Sequence, residues 1–115
     1  MNRKKFDMTV KESSDNYTIY VSGELDLAVS AEFRSEIEPL LTSDKEVVLD
    51  MADLTYIDST GMGIIIFFLK ARKEDGKALS VQNVPQKIKK LFDLTGITRF
   101  LPVHGSSPET KADGV

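Results

Sequence analysis

The chain has 115 residues, 15 of them basic and 18 acidic, for a net charge of −3, with no cysteine and one histidine, His104. That length suits one domain with a core of its own, and the cysteine and histidine counts leave no disulfide framework, thiolate metal site or multi-histidine zinc site, so no metal or cofactor is expected. A pI of about 5.1 leaves no basic stripe to neutralise phosphates, so nucleic acid is not an expected partner.

Met1-Asn2-Arg3-Lys4-Lys5 is basic, but alternating residues follow it instead of the ~7–15 apolar residues of an export signal. Phe6, Met8 and Val10 alternate with polar residues, Ser14-Asp15-Asn16 supplies a turn, and Tyr17, Ile19 and Val21 alternate again, so an antiparallel hairpin is predicted. Phe33, Ile37, Leu40 and Leu41 then recur at helical spacing, with Asp26 or Ser30 as the cap and Pro39 loosening the last turn. Val47-Val48-Leu49 with Met51 is almost wholly apolar, the pattern of a central strand covered on both faces. A second helix is predicted from Thr60 to about Asp75 with Gly76 as its stop, then a strand from Ala78 to Val81. Pro85 suits the first residue of a third helix that buries Ile88, Leu91 and Phe92 and stops at Gly96, and Phe100 to Val103 makes a last strand.

The order is ββαβαβαβ, an α/β domain over residues 1–103 with a mixed sheet, antiparallel in its opening hairpin and parallel where βα units follow. Residues 104–115 carry too little apolar surface to order and are expected to form a flexible tail. The longest apolar stretch, Ile64 to Leu69, falls well short of the ~20 residues that cross a bilayer, so no membrane contact and a cytoplasmic protein are expected.

The run Asp58-Ser59-Thr60-Gly61-Met62-Gly63 lies between the central strand and the second helix, whose Met51-to-Gly61 connection is at the sheet edge where open α/β folds meet ligands and partners. Ser59 there has two readings. As a cap, its oxygen accepts an otherwise unpaired helix amide, worth ~1 kcal/mol. Gly61 and Gly63 favour the other, since each costs ~1 kcal/mol against alanine near a helix start and small residues suit close approach by an outside group. The amides of Thr60, Gly61 and Met62 would then face that group, and the helix dipole favours an anion such as a phosphate on Ser59.

Serine hydrolysis needs a base, but the only histidine is in the tail and Ile57 replaces the first glycine of a G-x-S-x-G elbow. No phosphate-cradling G-K-[ST] follows Gly61 and Gly63, so the chain is not expected to be an enzyme. The acidic pairs Asp50 with Asp53 and Glu24 with Asp26 are read as caps and turn formers in the neighbourhood of Ser59. On a helical wheel Ile64, Ile65, Phe67, Phe68 and Ala71 face the sheet, while Met62, Ile66 and Leu69 form a surplus apolar flank. That flank either packs on a neighbouring helix or forms a partner patch, with Met62 expected to be the most exposed.

Three segments together, Gly23-Glu24-Leu25-Asp26, Tyr56-Ile57-Asp58-Ser59-Thr60-Gly61-Met62-Gly63 and Lys90-Leu91-Phe92-Asp93-Leu94-Thr95-Gly96, give the chain its family likeness. From Phe6 to Val103 it resembles the bacterial anti-sigma-factor antagonists, the small single-domain members of the STAS family. The resemblance implies that Ser59 is phosphorylated by an anti-sigma factor that is itself a serine kinase, with Thr60 the adjacent, non-acceptor hydroxyl and Asp26 and Asp58 beside the loop. It also implies partner switching: the unmodified protein binds the kinase and frees a sigma factor, phosphorylation ends the binding, and a PP2C-type phosphatase resets it. Two alternatives remain open, a sensory or stressosome-type STAS scaffold and a response-regulator receiver using Asp50 or Asp53. Receivers place paired acids after their first strand and a lysine near their last, features this chain does not show.

Overall fold

A computed structural model describes residues 5–77, 79–96 and 103–104. Phe6–Glu12 (β1) and Asn16–Leu25 (β2) form the antiparallel hairpin, its turn closed by the amides of Asp15 and Asn16 donating to Ser13 Oγ. A 3-10 turn, Leu27–Val29, precedes Ser30–Ile37 (α1). Asp26 caps that turn by accepting from the Ala28 amide at 3.1 Å, while Ser30 donates its hydroxyl to Leu27 O. At Glu38–Leu40 the helix tightens to 3-10, because Pro39 has no amide to continue the α ladder. Glu46–Ile57 (β3), Ser59–Glu74 (α2), Leu79–Gln82 (β4), Gln86–Thr95 (α3) and Val103–His104 (β5) complete the expected order.

Boundaries differ: β3 continues to Ile57, so the connection expected from Met51 to Gly61 shrinks to Asp58 ahead of α2. Pro85 is extended and caps α3 from outside, its carbonyl accepting from the Lys89 amide. His104 belongs to β5 and not to the tail; Ala78, Phe100 to Pro102 and 105–115 lie outside the described residues.

The sheet runs β1-β2-β3-β4-β5, antiparallel between β1 and β2 and parallel thereafter. Right-handed crossovers between successive neighbours all return on one side, so the helices share one face of the sheet. Phe33 of α1, Phe68 of α2 and Phe92 of α3 bury there against Ile19, Leu49 and Val81. The opposite face carries no helix among the described residues, and Tyr20 stands exposed on it. β3 is therefore central but not covered on both faces: Val47, Leu49 and Met51 point into the core, whereas Val48, on the other side, is only half-buried.

Two register shifts between β2 and β3 steer their carboxyl ends. One falls at Gly23, whose φ is +85° and where a Cβ would stand 1.8 Å from the Lys5 carbonyl oxygen. Only glycine fits, so the first residue of Gly23-Glu24-Leu25-Asp26 serves the backbone.

Candidate functional site

Leu25 pairs with Ile57 at the carboxyl ends of β2 and β3, so the turn after β2 and the first turn of α2 lie side by side. Asp58 joins them. One carboxylate oxygen accepts the Gly61 amide at 2.9 Å and caps α2, and the other accepts the Leu27 amide at 3.1 Å across the gap. Its own amide donates to Leu25 O and its carbonyl accepts from the Met62 amide. Asp26, one residue before Leu27, is half-buried beside it.

Asp58 thus removes the cap role from Ser59. Ser59 is the first helical residue, exposed, and among the described residues its hydroxyl has no hydrogen-bond partner. The expectation that the Gly61 and Met62 amides face an incoming anion is corrected, since both bond to Asp58. The amides of Ser59 and Thr60 remain for that purpose, at the positive end of the helix. Thr60 is half-buried.

The two glycines prove to have different functions. Gly61 is buried, and a Cβ there would come within 2.6 Å of Leu25 O and 2.8 Å of Leu25 Cγ, so its smallness serves internal packing and not an outside group. Gly63 is exposed, and a Cβ there would meet nothing within 4 Å. Gly63→Ala is accordingly expected to stabilise the fold by about 1 kcal/mol through helix propensity, whereas Gly61→Ala is expected to destabilise it by about 1–3 kcal/mol through overpacking. Urea denaturation compares them directly, and equal effects would contradict this division.

Beside Ser59 lies an apolar hollow of about 350 Å³ between α2 and α3, lined by Ile57, Met62, Ile66, Leu91 and Leu94 with Asp58, Ser59, Gly63 and Thr95 at its margin. Leu94 is 82% exposed and Leu91 38%, so the rim is open to a partner. Leu91 does not join Ile88 and Phe92 in the core: the spacing Lys87, Lys90, Leu91, Leu94 marks a second, outward stripe on α3 that a one-face reading overlooks. Met62 is only 6% exposed, which corrects the expectation for it; it forms the floor of the hollow, and half-buried Ile66 is the most accessible of the surplus flank. Phe67, expected against the sheet, is 43% exposed under the Arg34 guanidinium, 4.9 Å from the ring centroid.

The other acidic residues do not gather at Ser59. Asp50 accepts from the Ala52 amide, Gln82 Nε2 and Asn83 Nδ2, and Asp53 lines a separate hollow of about 160 Å³ with Asp7, Thr9, Tyr20 and Ser22. Both belong to the helix-free side of the sheet, away from the α2–α3 hollow. Glu24 is half-buried within β2, before the turn that Asp58 engages.

Residues 8–102 match the family described as Mlab, STAS domain. The anti-sigma-B factor antagonist of Bacillus subtilis (strain 168) is 26% identical over 101 residues, covering 88% of this chain and 93% of that protein. The protein of the same name from Staphylococcus epidermidis is 33% identical over 91 residues, 78% of this chain and 84% of its own length. Among solved structures, the anti-sigma factor antagonist SpoIIAA in its unphosphorylated form has a TM-score of 0.72 at 15% identity, covering 95% and 98% of the two chains. The Bacillus cell fate determinant SpoIIAA in the phosphorylated form gives 0.70 at 16% identity, covering 93% and 97%, and at such identities the likeness is one of fold. By the span of the family match and by its 33% identical relative, this chain belongs to the STAS-domain family, alongside relatives named anti-sigma-factor antagonists.

Proposed function

We propose that the chain is a cytoplasmic anti-sigma-factor antagonist that binds an anti-sigma-factor serine kinase while Ser59 is unmodified, thereby releasing a sigma factor, and that phosphorylation of Ser59 ends the binding. A PP2C-type phosphatase would restore the binding form. The observation that carries this reading is the free hydroxyl of Ser59, exposed at the helix start and bordered by an open apolar hollow. The hollow offers a partner desolvated contact area, and the hydroxyl offers a place to change charge within that contact. Curated relatives named anti-sigma-B factor antagonists, and a structural neighbour known in phosphorylated and unphosphorylated forms, support the same assignment.

The receiver alternative fares poorly on the same geometry, because the nearly buried carboxylate of Asp50 is committed to three hydrogen bonds and Asp53 has no lysine among its neighbours in the hollow it lines. Nothing in the arrangement specifically favours a scaffold. Incubation with an anti-sigma-factor serine kinase and ATP, followed by mass measurement of peptides, is expected to place one phosphate on Ser59. Ser59→Ala should take up none and still bind the kinase. A phosphate located on Thr60 or elsewhere would refute the assignment.

A further inference from the structure

Leu27 is 68% exposed, and its backbone amide is held by the same carboxylate that caps α2. A large apolar side chain so exposed, on a short 3-10 turn tied to the head of α2, is open to a partner's contact. Among the described residues, the side chain that links the Leu27 turn to the first turn of α2 is Asp58, one oxygen to each, at 3.1 and 2.9 Å. Both oxygens already accept an amide, which leaves this carboxylate poorly placed to take the serine proton as a base.

We propose that Asp58 is a positioning residue that locks the Leu27 turn in register with Ser59, and that Leu27 is the second apolar anchor of the kinase-docking surface, on the opposite side of Ser59 from the α2–α3 hollow. This rests on the reading of Ser59 given above and adds what the partner must supply: an apolar socket for a leucine, in addition to the group that fills the hollow. Presented this way the serine sits between two apolar contacts, so a kinase gripping both holds the hydroxyl in place for transfer. A neutral amide at position 58 separates the two bridges. Asparagine is as good a helix cap as aspartate and keeps one oxygen for Gly61, but it turns an NH₂ donor toward the Leu27 N–H, which then has no acceptor.

The test uses the full chain with the kinase that phosphorylates it, comparing wild type, Asp58→Asn, Leu27→Ala and the double variant, with amide hydrogen exchange and thermal unfolding alongside. Asp58→Asn is expected to keep Gly61 amide protection and a melting temperature close to wild type, while the Leu27 amide exchanges faster. Each single variant should raise KM for the chain about tenfold with kcat little changed, and the double variant should be no worse than either single, because both remove one contact. Effects that multiply to about a hundredfold would overturn the proposal, as would a fall in kcat at constant KM for Asp58→Asn, which would put Asp58 on the reacting hydroxyl. A wild-type chain that gains no phosphate refutes the reading of Ser59 before any variant is compared, and unchanged Leu27 exchange in Asp58→Asn refutes the bridge independently of any kinase.

Discussion

Arg72→Met is expected to cost about 3–5 kcal/mol of stability, well above the ordinary cost of a point mutation. Arg72 is fully buried in α2, and its guanidinium donates to Leu40 O at 2.8 Å, Ser43 O at 3.0 Å and Lys45 O at 2.8 Å. Those carbonyls belong to the connection from α1 to β3, which has little regular structure of its own to satisfy them. Burial holds the Arg72 pKa below its ordinary value, with Asp75 acting the other way, and the group stays charged at any working pH because arginine starts so high. Methionine fills a similar volume but removes the guanidinium donors from Ser43 O and Lys45 O and leaves Leu40 O with the Ser43 amide at 3.3 Å. Against a total of about 5–15 kcal/mol for a domain of this kind, the loss is severe. Lysine, with a point charge where a fork is needed, should recover only part of it. Guanidinium chloride titration of the three proteins measures this, and a methionine variant within about 1 kcal/mol of wild type would show that the carbonyls find water instead.

Phosphorylation of Ser59 is expected to weaken kinase binding by more than tenfold without unfolding the domain. A phosphoserine carries about −1.5 to −2 charges, and a unit charge brought to ~4 Å from a partner carboxylate costs up to about 4 kcal/mol at an effective dielectric near 20. Half that value already exceeds one decade in affinity, since about 1.4 kcal/mol is tenfold. The fold itself should tolerate the group, because Ser59 is exposed and the free amides of the first turn favour an anion there by about 0.3–1 kcal/mol. Ser59→Asp should act in the same direction with a smaller effect. Calorimetric titration against the kinase and a thermal melt of the phosphorylated chain test both halves. Undiminished affinity of the phosphorylated chain would remove charge as the switch, and a melting temperature lowered by more than about 10 °C, well beyond 1 kcal/mol at this size, would mean that the switch works by unfolding.

The element order was readable because its signals are local. Alternation in β1 and β2, the apolar run of β3, and the glycines at 76 and 96 that end α2 and α3 each reflect the backbone geometry of a few neighbouring residues. The place of Ser59 at the head of α2 was likewise legible, from a hydroxyl at a strand-to-helix junction. The face of α2 was not. Its buried arc, which includes Met62, Ile64, Ile65, Phe68 and Leu69, is rotated by roughly a quarter of a turn from the apolar pattern. At its centre stand Gly61 and Arg72, a residue with no side chain and a charged one, neither of which an apolar count places inside.

By itself the sequence determined the order of strands and helices and which hydroxyl stands at the head of α2, since turn chemistry, capping and periodicity act over a few residues. Tertiary structure alone decided that Asp58 also holds the Leu27 amide, that Gly61 yields its space to Leu25, that Arg72 is buried, and that the α3 leucines line a hollow with the serine at its margin. Each of these depends on atoms roughly 30 residues apart in the chain meeting across the sheet, as Leu27 meets Asp58 and Leu40 meets Arg72. No local pattern encodes such a meeting; the pairing register of β2 with β3 creates it.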